Sequence, residues 1–265
     1  MPKVRVNEIE MNYELHGEGK PLVLIMGLTG SLEGWRPLVP AFAQEHRVLI
    51  FDNRGAGLTD KPAGPYSMPM MADDTAGLMD ALGIEAADVY GISMGGMIAQ
   101  ELTLRHPQKV RALVLGCTTP GGPNSHRRPQ ETIDTLARIP NVSVEEGLEI
   151  VLRLLFTDEF AAANRRQVRE MTLSSFDLRI PRRAFLGQTG AINAHNTYDR
   201  LPQIKAPTLV IAGGSDEMVP SANSPILAQR IPGAELVMYP KARHGYFYEV
   251  AEEATAAVLD FLRRH

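Results

Sequence analysis

Cysteine occurs once in the 265 residues, at Cys117, so no internal disulfide can form. That scarcity excludes the disulfide-built secreted scaffolds and makes a reducing cytoplasm the expected compartment. Long hydrophobic runs are missing as well. Residues 22–26 and 110–115 are among the longest, far short of the roughly 20 that a membrane helix needs. The start, Met1-Pro2-Lys3-Val4-Arg5, passes straight into an alternating pattern without an apolar signal region, which again points to the cytoplasm. Charge of one sign is not in excess either. With 27 Lys and Arg against 31 Asp and Glu, the net charge is -4, so neither nucleic acid nor an anionic membrane is an expected partner. No group of residues has metal-ligand spacing, and no metal is expected.

What is present is the balance of an ordinary globular protein, 44% hydrophobic and 22% charged, in a chain long enough for one large α/β domain with an insertion. Short apolar runs bounded by turn residues alternate with stretches of helical length. The runs Leu22-Val23-Leu24-Ile25, Val48-Leu49-Ile50-Phe51, Val89-Tyr90-Gly91-Ile92 and Ala112-Leu113-Val114-Leu115 read as buried parallel strands. Residues 4–14 read as one or two strands at the sheet edge, where an antiparallel hairpin is natural. Helices are expected at 32–43, 69–82 and 94–105, the last stopped by Pro107. From residue 118 to 200 strand patterns vanish, and helical segments are expected at 130–139, 144–156, 159–171 and 182–191. Ser143 followed by Glu146 has the spacing of a capping box. Strands resume at 208–211 and 235–238, and a final helix carries Val250, Ala254, Ala257, Val258, Phe261 and Leu262 at helical spacing. The expected architecture is a mostly parallel, doubly wound α/β core from residues 1–117 and 201–265, with a helical cap inserted at 118–200.

Gly91-Ile92-Ser93-Met94-Gly95 fits the Gly-x-Ser-x-Gly pattern. Alone the pattern is weak. Its place between an apolar strand and a helix is what a nucleophile elbow requires: a strained serine held above the sheet edge, glycines on either side to prevent clashes, and a helix N-terminus that favours developing negative charge. A serine hydroxyl needs a base, and the base needs a group to fix its tautomer. Of seven histidines, His244 follows the last expected strand and falls at the same edge as Ser93. His16, His46 and His106 sit at element ends, His126 and His195 in the insertion, and His265 at the terminus, all places for surface or structural histidines. Asp216 follows strand 208–211 through Gly213-Gly214-Ser215, on the carboxyl edge where α/β folds carry their sites. Spacing does not separate it from Glu217; Asp216 is taken because it comes first after the small-residue turn.

These runs, with Asp52-Asn53-Arg54-Gly55-Ala56-Gly57 and His244-Gly245, resemble the α/β-hydrolase superfamily, and within it the esterases and lactonases similar to 3-oxoadipate enol-lactonase. The resemblance covers the sheet region almost completely and the insertion hardly at all. It implies an α/β-hydrolase fold and a triad of Ser93, Asp216 and His244 in the chain order of that fold. It also implies an oxyanion hole made by the backbone N–H groups of Met94 and Leu28, no cofactor, and a small-molecule ester or lactone as substrate. N-acyl homoserine lactones belong to that class. Cofactor-free perhydrolases of the haloperoxidase type and carbon–carbon bond hydrolases share the fold, and a non-catalytic small-molecule receptor is the alternative of another class. Oligomeric state cannot be read.

One departure stands out. The family usually has His-Gly where this chain has Met26-Gly27, which makes the expected pocket floor more apolar. Met26, Gly27, Thr29 and Met218 are the expected pocket residues; the methionines suit an adaptable apolar lining. Asp52, Asn53 and Arg54 are expected as scaffold, and Trp35 as packing under the oxyanion loop. The insertion holds 11 Lys and Arg against 10 Asp and Glu, a difference of +1, so it encodes no strong funnel for acidic substrates.

Overall fold

The computed structural model describes residues 2–175 and 180–265. Residue 1 of the expected core and residues 176–179 of the expected cap lie outside them.

Eight strands form one sheet: β1 (Lys3–Val6), β2 (Ile9–His16), β3 (Lys20–Ile25), β4 (His46–Phe51), β5 (Ala87–Ile92), β6 (Val110–Gly116), β7 (Thr208–Gly213) and β8 (Glu235–Tyr239). Their spatial order is β1-β2-β4-β3-β5-β6-β7-β8. β1 pairs antiparallel with β2, and β2 with β4, as the edge pattern suggested; the other pairs are parallel. Parallel strands in the middle of such a sheet are buried on both faces, which is why they read as unbroken apolar runs. In β3 the side chains still alternate: Leu22 and Leu24 pack with Val48, Ile50 and Val114 on one face, Val23 and Ile25 with Leu49, Val89 and Leu115 on the other.

Helices cover both faces. α1 (Val39–Phe42), α2 (Met68–Ala81) and α3 (Met94–Arg105) lie between the first six strands. After β6 come α4 (Gln130–Arg138), α5 (Val144–Leu155), α6 (Asp158–Ala163), α7 (Arg165–Ser175) and α8 (Arg182–Ala194). α9 (Asn223–Arg230) joins β7 to β8, and α10 (Tyr246–Glu249) and α11 (Ala251–Arg264) close the chain. Met71, Leu78, Ile98 and Leu102 carry α2 and α3 onto one face; Val258, Phe261 and Leu262 carry α11 onto the other.

The structure corrects several local expectations. The helix expected at 32–43 is a 3-10 turn, Leu32–Gly34, followed by the single turn α1. Pro37 lies between them, and a proline ring inside a helix removes an N–H and collides with the preceding turn. The segment expected at 159–171 is two helices, broken at Asn164, whose side-chain amide donates to the Phe160 carbonyl at 3.0 Å and whose backbone turns to φ -119°, ψ 24°. α9 was not anticipated. Its polar Asn223-Ser224 start hides the periodicity, although a proline at Pro225, in the first turn, is a helix-start signal. Ser143 does cap α5, accepting from Glu146 N–H at 3.2 Å, but the Glu146 carboxylate turns to Arg138, so the capping box is half made.

The insertion is rooted by a buried glutamine. Gln100, on α3, donates to the Thr119 carbonyl at 3.1 Å where the chain leaves the core, and accepts from the Thr197 hydroxyl at 2.5 Å where it returns. Glu101 beside it, 3% exposed, pairs with Arg200. Farther out, α5 to α7 close over a small apolar cluster of their own: Leu148, Leu152, Leu155, Phe156 and Val168.

Candidate functional site

Ser93 is the residue between β5 and α3, and its backbone is forced to φ 55°, ψ -122°, a region that a side chain enters only under constraint. The constraint is visible around it. Ser93 N–H donates to the Gly116 carbonyl at 2.9 Å, and its own carbonyl accepts from the Thr118 hydroxyl at 2.7 Å, so the turn is tied to β6 on both sides. Side chains at Gly91 and Gly95 would collide with backbone, the first with the Gly95 carbonyl and the second with the carbonyls of Ile25 and Met26. The glycines of the motif are there because α3 starts almost in contact with the end of β3. Ser93 itself is half-buried, with α3 starting immediately behind it.

Asp216 and His244 sit on loops after β7 and β8, at the same carboxyl edge. They form one pair: His244 Nδ1 lies 2.7 Å from Asp216 Oδ2, with the two residues 6% and 4% exposed. With the carboxylate accepting at Nδ1, the imidazole carries its proton there and leaves Nε2 as the basic nitrogen. The other carboxylate oxygen accepts from Val219 N–H at 2.9 Å, which fixes the plane of the group. The two loops are laced together by Gly214 N–H to the Tyr239 carbonyl, 2.8 Å, and Ser215 N–H to the Ala242 carbonyl, 3.0 Å. Glu217, by contrast, is exposed and, among the described residues, hydrogen-bonds only to the Thr132 hydroxyl, at 3.5 Å. Geometry therefore separates the two carboxylates that spacing left together.

Across from Ser93 runs the loop after β3. A side chain at Gly27 would stand 3.1 Å from Ser93 Cβ and 3.6 Å from its hydroxyl, so this loop passes close to the serine at Gly27. Gly30 N–H donates to the Gly27 carbonyl at 3.2 Å and closes a tight turn through Leu28 and Thr29. The N–H groups of Leu28 and Met94 donate to no protein acceptor among the described residues. Two free donors beside a strained serine can stabilise an oxyanion. The loop is braced from below. The Asn53 amide donates to the Met26 carbonyl at 2.8 Å, and buried Asp52 accepts from the N–H groups of Leu32 and Leu58, both at 2.7 Å. Burial raises the Asp52 carboxyl above its ordinary range in spite of these donors.

The remaining expected residues fall into different surroundings. Met26, 6% exposed, packs with Leu32 and Trp35 in the core and lies against Gly30. Trp35 is fully buried against Tyr90, ring centroids 5.2 Å apart. Met218 is half-buried against the insertion's apolar cluster, and its carbonyl accepts from Arg128 Nε at 2.7 Å. Arg128 was not singled out in the sequence. Burial depresses its guanidinium, against the pull of the nearby Asp216 carboxylate. Cys117, at the end of β6 with φ 40°, is buried near Asp216, and burial pushes its thiol well up, which keeps it uncharged and poorly nucleophilic. Gln188 of α8, also missed, accepts from Thr29 N–H at 2.9 Å. Its signal was a glutamine in phase with Ala184 and Ala191 on a helix's buried stripe.

The α/β-hydrolase fold model matches residues 20–250, which includes Ser93, Asp216, His244 and the whole insertion. The chain belongs to the α/β-hydrolase family. It is similar to the enol-lactonase of Burkholderia xenovorans, at 30% identity and a TM-score of 0.88 over 99% of this chain and 100% of that one. Est816, described as an N-acyl homoserine lactone degrading enzyme, is 32% identical with a TM-score of 0.80, covering 98% of this hydrolase and all of Est816. A relative from Azorhizobium caulinodans that bears the name carbamate hydrolase RutD is 30% identical over 93% of this chain and 92% of its own. Among the described residues of this hydrolase no helix is long and apolar enough to cross a membrane.

Proposed function

We propose that this α/β-hydrolase cleaves carboxylic esters and lactones through an acyl-enzyme on Ser93. The reading rests above all on Ser93 held at φ 55° on the sheet edge that also carries the buried Asp216–His244 pair. In the proposed cycle His244 Nε2 takes the hydroxyl proton as Ser93 Oγ attacks the carbonyl carbon. The N–H groups of Leu28 and Met94 receive the negative charge on the carbonyl oxygen. His244 then gives the proton to the leaving alkoxide, and Asp216 stabilises the imidazolium between the two transfers. Water, deprotonated by the same histidine, attacks the acyl carbon; the bond to Ser93 breaks, the histidine returns the proton to Ser93 Oγ, and the acid leaves. In a lactone the leaving alkoxide stays attached to the acyl group, so the product is one hydroxy acid. No cofactor takes part in these steps.

The names of the relatives support acyl chemistry at this level and divide on the substrate: one enol-lactonase, one acyl homoserine lactone degrading enzyme, one carbamate hydrolase. A panel of straight-chain esters, aryl esters, lactones of graded acyl length and a carbamate tests the reading, with and without hydrogen peroxide. Turnover in water that disappears with Ser93→Ala supports it. Acceleration by peroxide with peracid as product would move the activity to perhydrolysis, and stoichiometric binding of a panel member without turnover would make the protein a receptor.

A further inference from the structure

Ser93 is joined to its neighbours by two peptide planes, and one short stretch of chain holds both. The plane before it is fixed by the Ser93 N–H, which donates to the Gly116 carbonyl at 2.9 Å, and the plane after it by the Ser93 carbonyl, which accepts from the Thr118 hydroxyl at 2.7 Å. That carbonyl also accepts from the N–H groups of Gly96 and Met97, at 3.0 and 3.3 Å, but those donors belong to α3 and move with it. Among the described residues Thr118 is the one donor that reaches it from outside the helix. Thr118 has little freedom of its own. It is 1% exposed, a side chain on Gly96 would stand 2.6 Å from its Cβ, and the Thr119 carbonyl beside it accepts from Gln100 of α3 at 3.1 Å.

The ψ of Ser93, -122°, is the rotation about the Cα–C bond that carries the second plane. A peptide is planar, so the Ser93 carbonyl and the Met94 N–H belong to one rigid unit and point in opposite directions. The Ser93 hydroxyl hangs from the same Cα. The rotation therefore sets directly where the Met94 N–H stands relative to the attacking oxygen. With φ at 55° the backbone lies where a side chain is strained, so a ψ released from Thr118 relaxes away from its present value. A hydrogen bond accepted by the carbonyl also polarises the peptide and makes its N–H a stronger donor.

We propose that Thr118 is a positioning residue: its hydroxyl holds the Ser93–Met94 peptide in the plane that aims the Met94 N–H at the carbonyl oxygen of the substrate. The proposal rests on the Ser93 chemistry set out above. As Ser93 Oγ bonds to the carbonyl carbon, the π pair of the carbonyl moves onto its oxygen and the hydroxyl proton passes to His244, and the Met94 N–H has to face that oxygen as the charge forms. Thr118 acts through the peptide and not on the substrate. It does so from the point where the chain leaves the core for the insertion.

The test replaces Thr118 by valine, which keeps the shape and loses the hydroxyl, and by serine, which keeps the hydroxyl and loses the methyl group. Steady-state kinetics on the best panel substrate are read together with inhibition by a trifluoromethyl ketone bearing the same acyl chain, which captures Ser93 Oγ as a tetrahedral adduct with a negative oxygen. Thr118→Val is expected to lower kcat about 5- to 50-fold, less than the roughly 100- to 1,000-fold cost of removing an oxyanion donor outright, with KM within about threefold. The inhibition constant should rise by a similar factor, since the adduct calls on the same donor as the transition state. Thr118→Ser should keep kcat within about threefold of wild type. A role in packing alone gives the opposite order, with valine the milder change. Should Thr118→Val not fold, Thr118→Ala takes its place, differing from Thr118→Ser by the hydroxyl alone. Wild-type kcat in the folded variant without the hydroxyl, a loss confined to KM, an unchanged inhibition constant, or serine as damaging as its partner each overturns the proposal. If wild type turns over no panel member, the hydrolysis proposed for Ser93 falls, and the ketone then decides: weaker capture by Thr118→Val supports the positioning role, and equal capture, or none by the wild type, overturns it.

Discussion

The carboxyl edge of the sheet and the outer helices of the insertion are held in place by different physics. At the edge, backbone excludes alternatives: side chains at Gly91, Gly95 or Gly213 would meet carbonyl groups of neighbouring segments, and Ser93 keeps a φ that only its tied surroundings enforce. In α5 to α7, five buried apolar residues hold the helices together, and the charged groups around them are open to water. The Arg166–Glu170 pair is 90% and 64% exposed on its two side chains, and such pairs contribute about 0–1 kcal/mol. An edge built this way fixes the positions of its side chains and tolerates little change. A cluster of that size tolerates substitution at a cost in stability. α8 is the exception in one respect: its Gln188 is fully buried and hydrogen-bonded to Thr29 and Arg54 of the core.

The contrast is broken most directly at Ser93. Ser93→Ala should lower ester turnover by about six orders of magnitude, because the proposed nucleophile, base and acid act as a unit. Ser93→Gly should do the same while raising the thermal midpoint, since glycine takes φ 55° without the cost of roughly 1–3 kcal/mol that strained residues carry. A glycine variant with a lowered midpoint would show that the elbow is not strained. Next in size is Asp216→Asn, which removes the charge opposite the imidazolium and favours the wrong tautomer, a loss of about four orders of magnitude in kcat in a comparable triad. Glu217→Gln, at an exposed side chain, should stay within a few-fold of wild type. Kinetics in the reverse order would move the acid to Glu217.

How much of this was legible in the sequence follows from the same contrast. Short-range steric rules leave short-range patterns, so the strands, the Ser93 elbow, and the positions of Asp216 and His244 after their strands could be read from glycines and apolar runs. The choice between Asp216 and Glu217 could not, because adjacent residues differ only in where a loop turns. Met26 is expected in the pocket from its place in the loop after β3, and that its side chain, 6% exposed, belongs to the same core cluster as Trp35 is set by long-range packing that no local pattern shows. The partners of Gln100 and Gln188 were illegible for a related reason, even though the helical phase of Gln188 marks it as buried. A buried glutamine looks like any surface glutamine until the segments it joins, 159 residues apart for Gln188 and Thr29, are brought together.

Core truncation sharpens the comparison of stability. Leu113 of β6 is fully buried and Leu155 of α5 is 6% exposed. Leucine-to-alanine changes cost about 2–5 kcal/mol, most where the surroundings cannot relax. Leu113→Ala should fall at the upper end, between two paired strands, and Leu155→Ala at the lower end, in a cluster of helices that can close the gap. Urea denaturation of both variants measures the difference, and equal losses would mean that the insertion packs as rigidly as the sheet.

The smallest effect is expected at the root of the insertion. His195 directly follows α8 and is 4% exposed, with the Thr119 backbone beside its ring. Burial pushes its pKa down to about 3, with the Arg200 charge acting in the same direction. The folded protein therefore holds the neutral ring. Above pH 6.5 both folded and unfolded chains are neutral at this position, and its contribution to stability is fully present. As pH falls from 6.5 toward 3 the unfolded chain binds a proton that the folded one refuses, and stability declines by up to about 1.4 kcal/mol per pH unit from this group alone. His195→Gln removes that proton, so the variant should lose stability more slowly than wild type over the same interval. His46, whose value burial also depresses, is common to both proteins and cancels from the difference. Denaturation free energies of the two proteins at pH 7.0 and 5.0, values chosen to bracket roughly the ordinary histidine pKa, provide the measurement. A gap between them that does not change with pH would show that His195 takes up its proton in the folded state, and with it that the root of the insertion opens to water more readily than the edge it is fastened to.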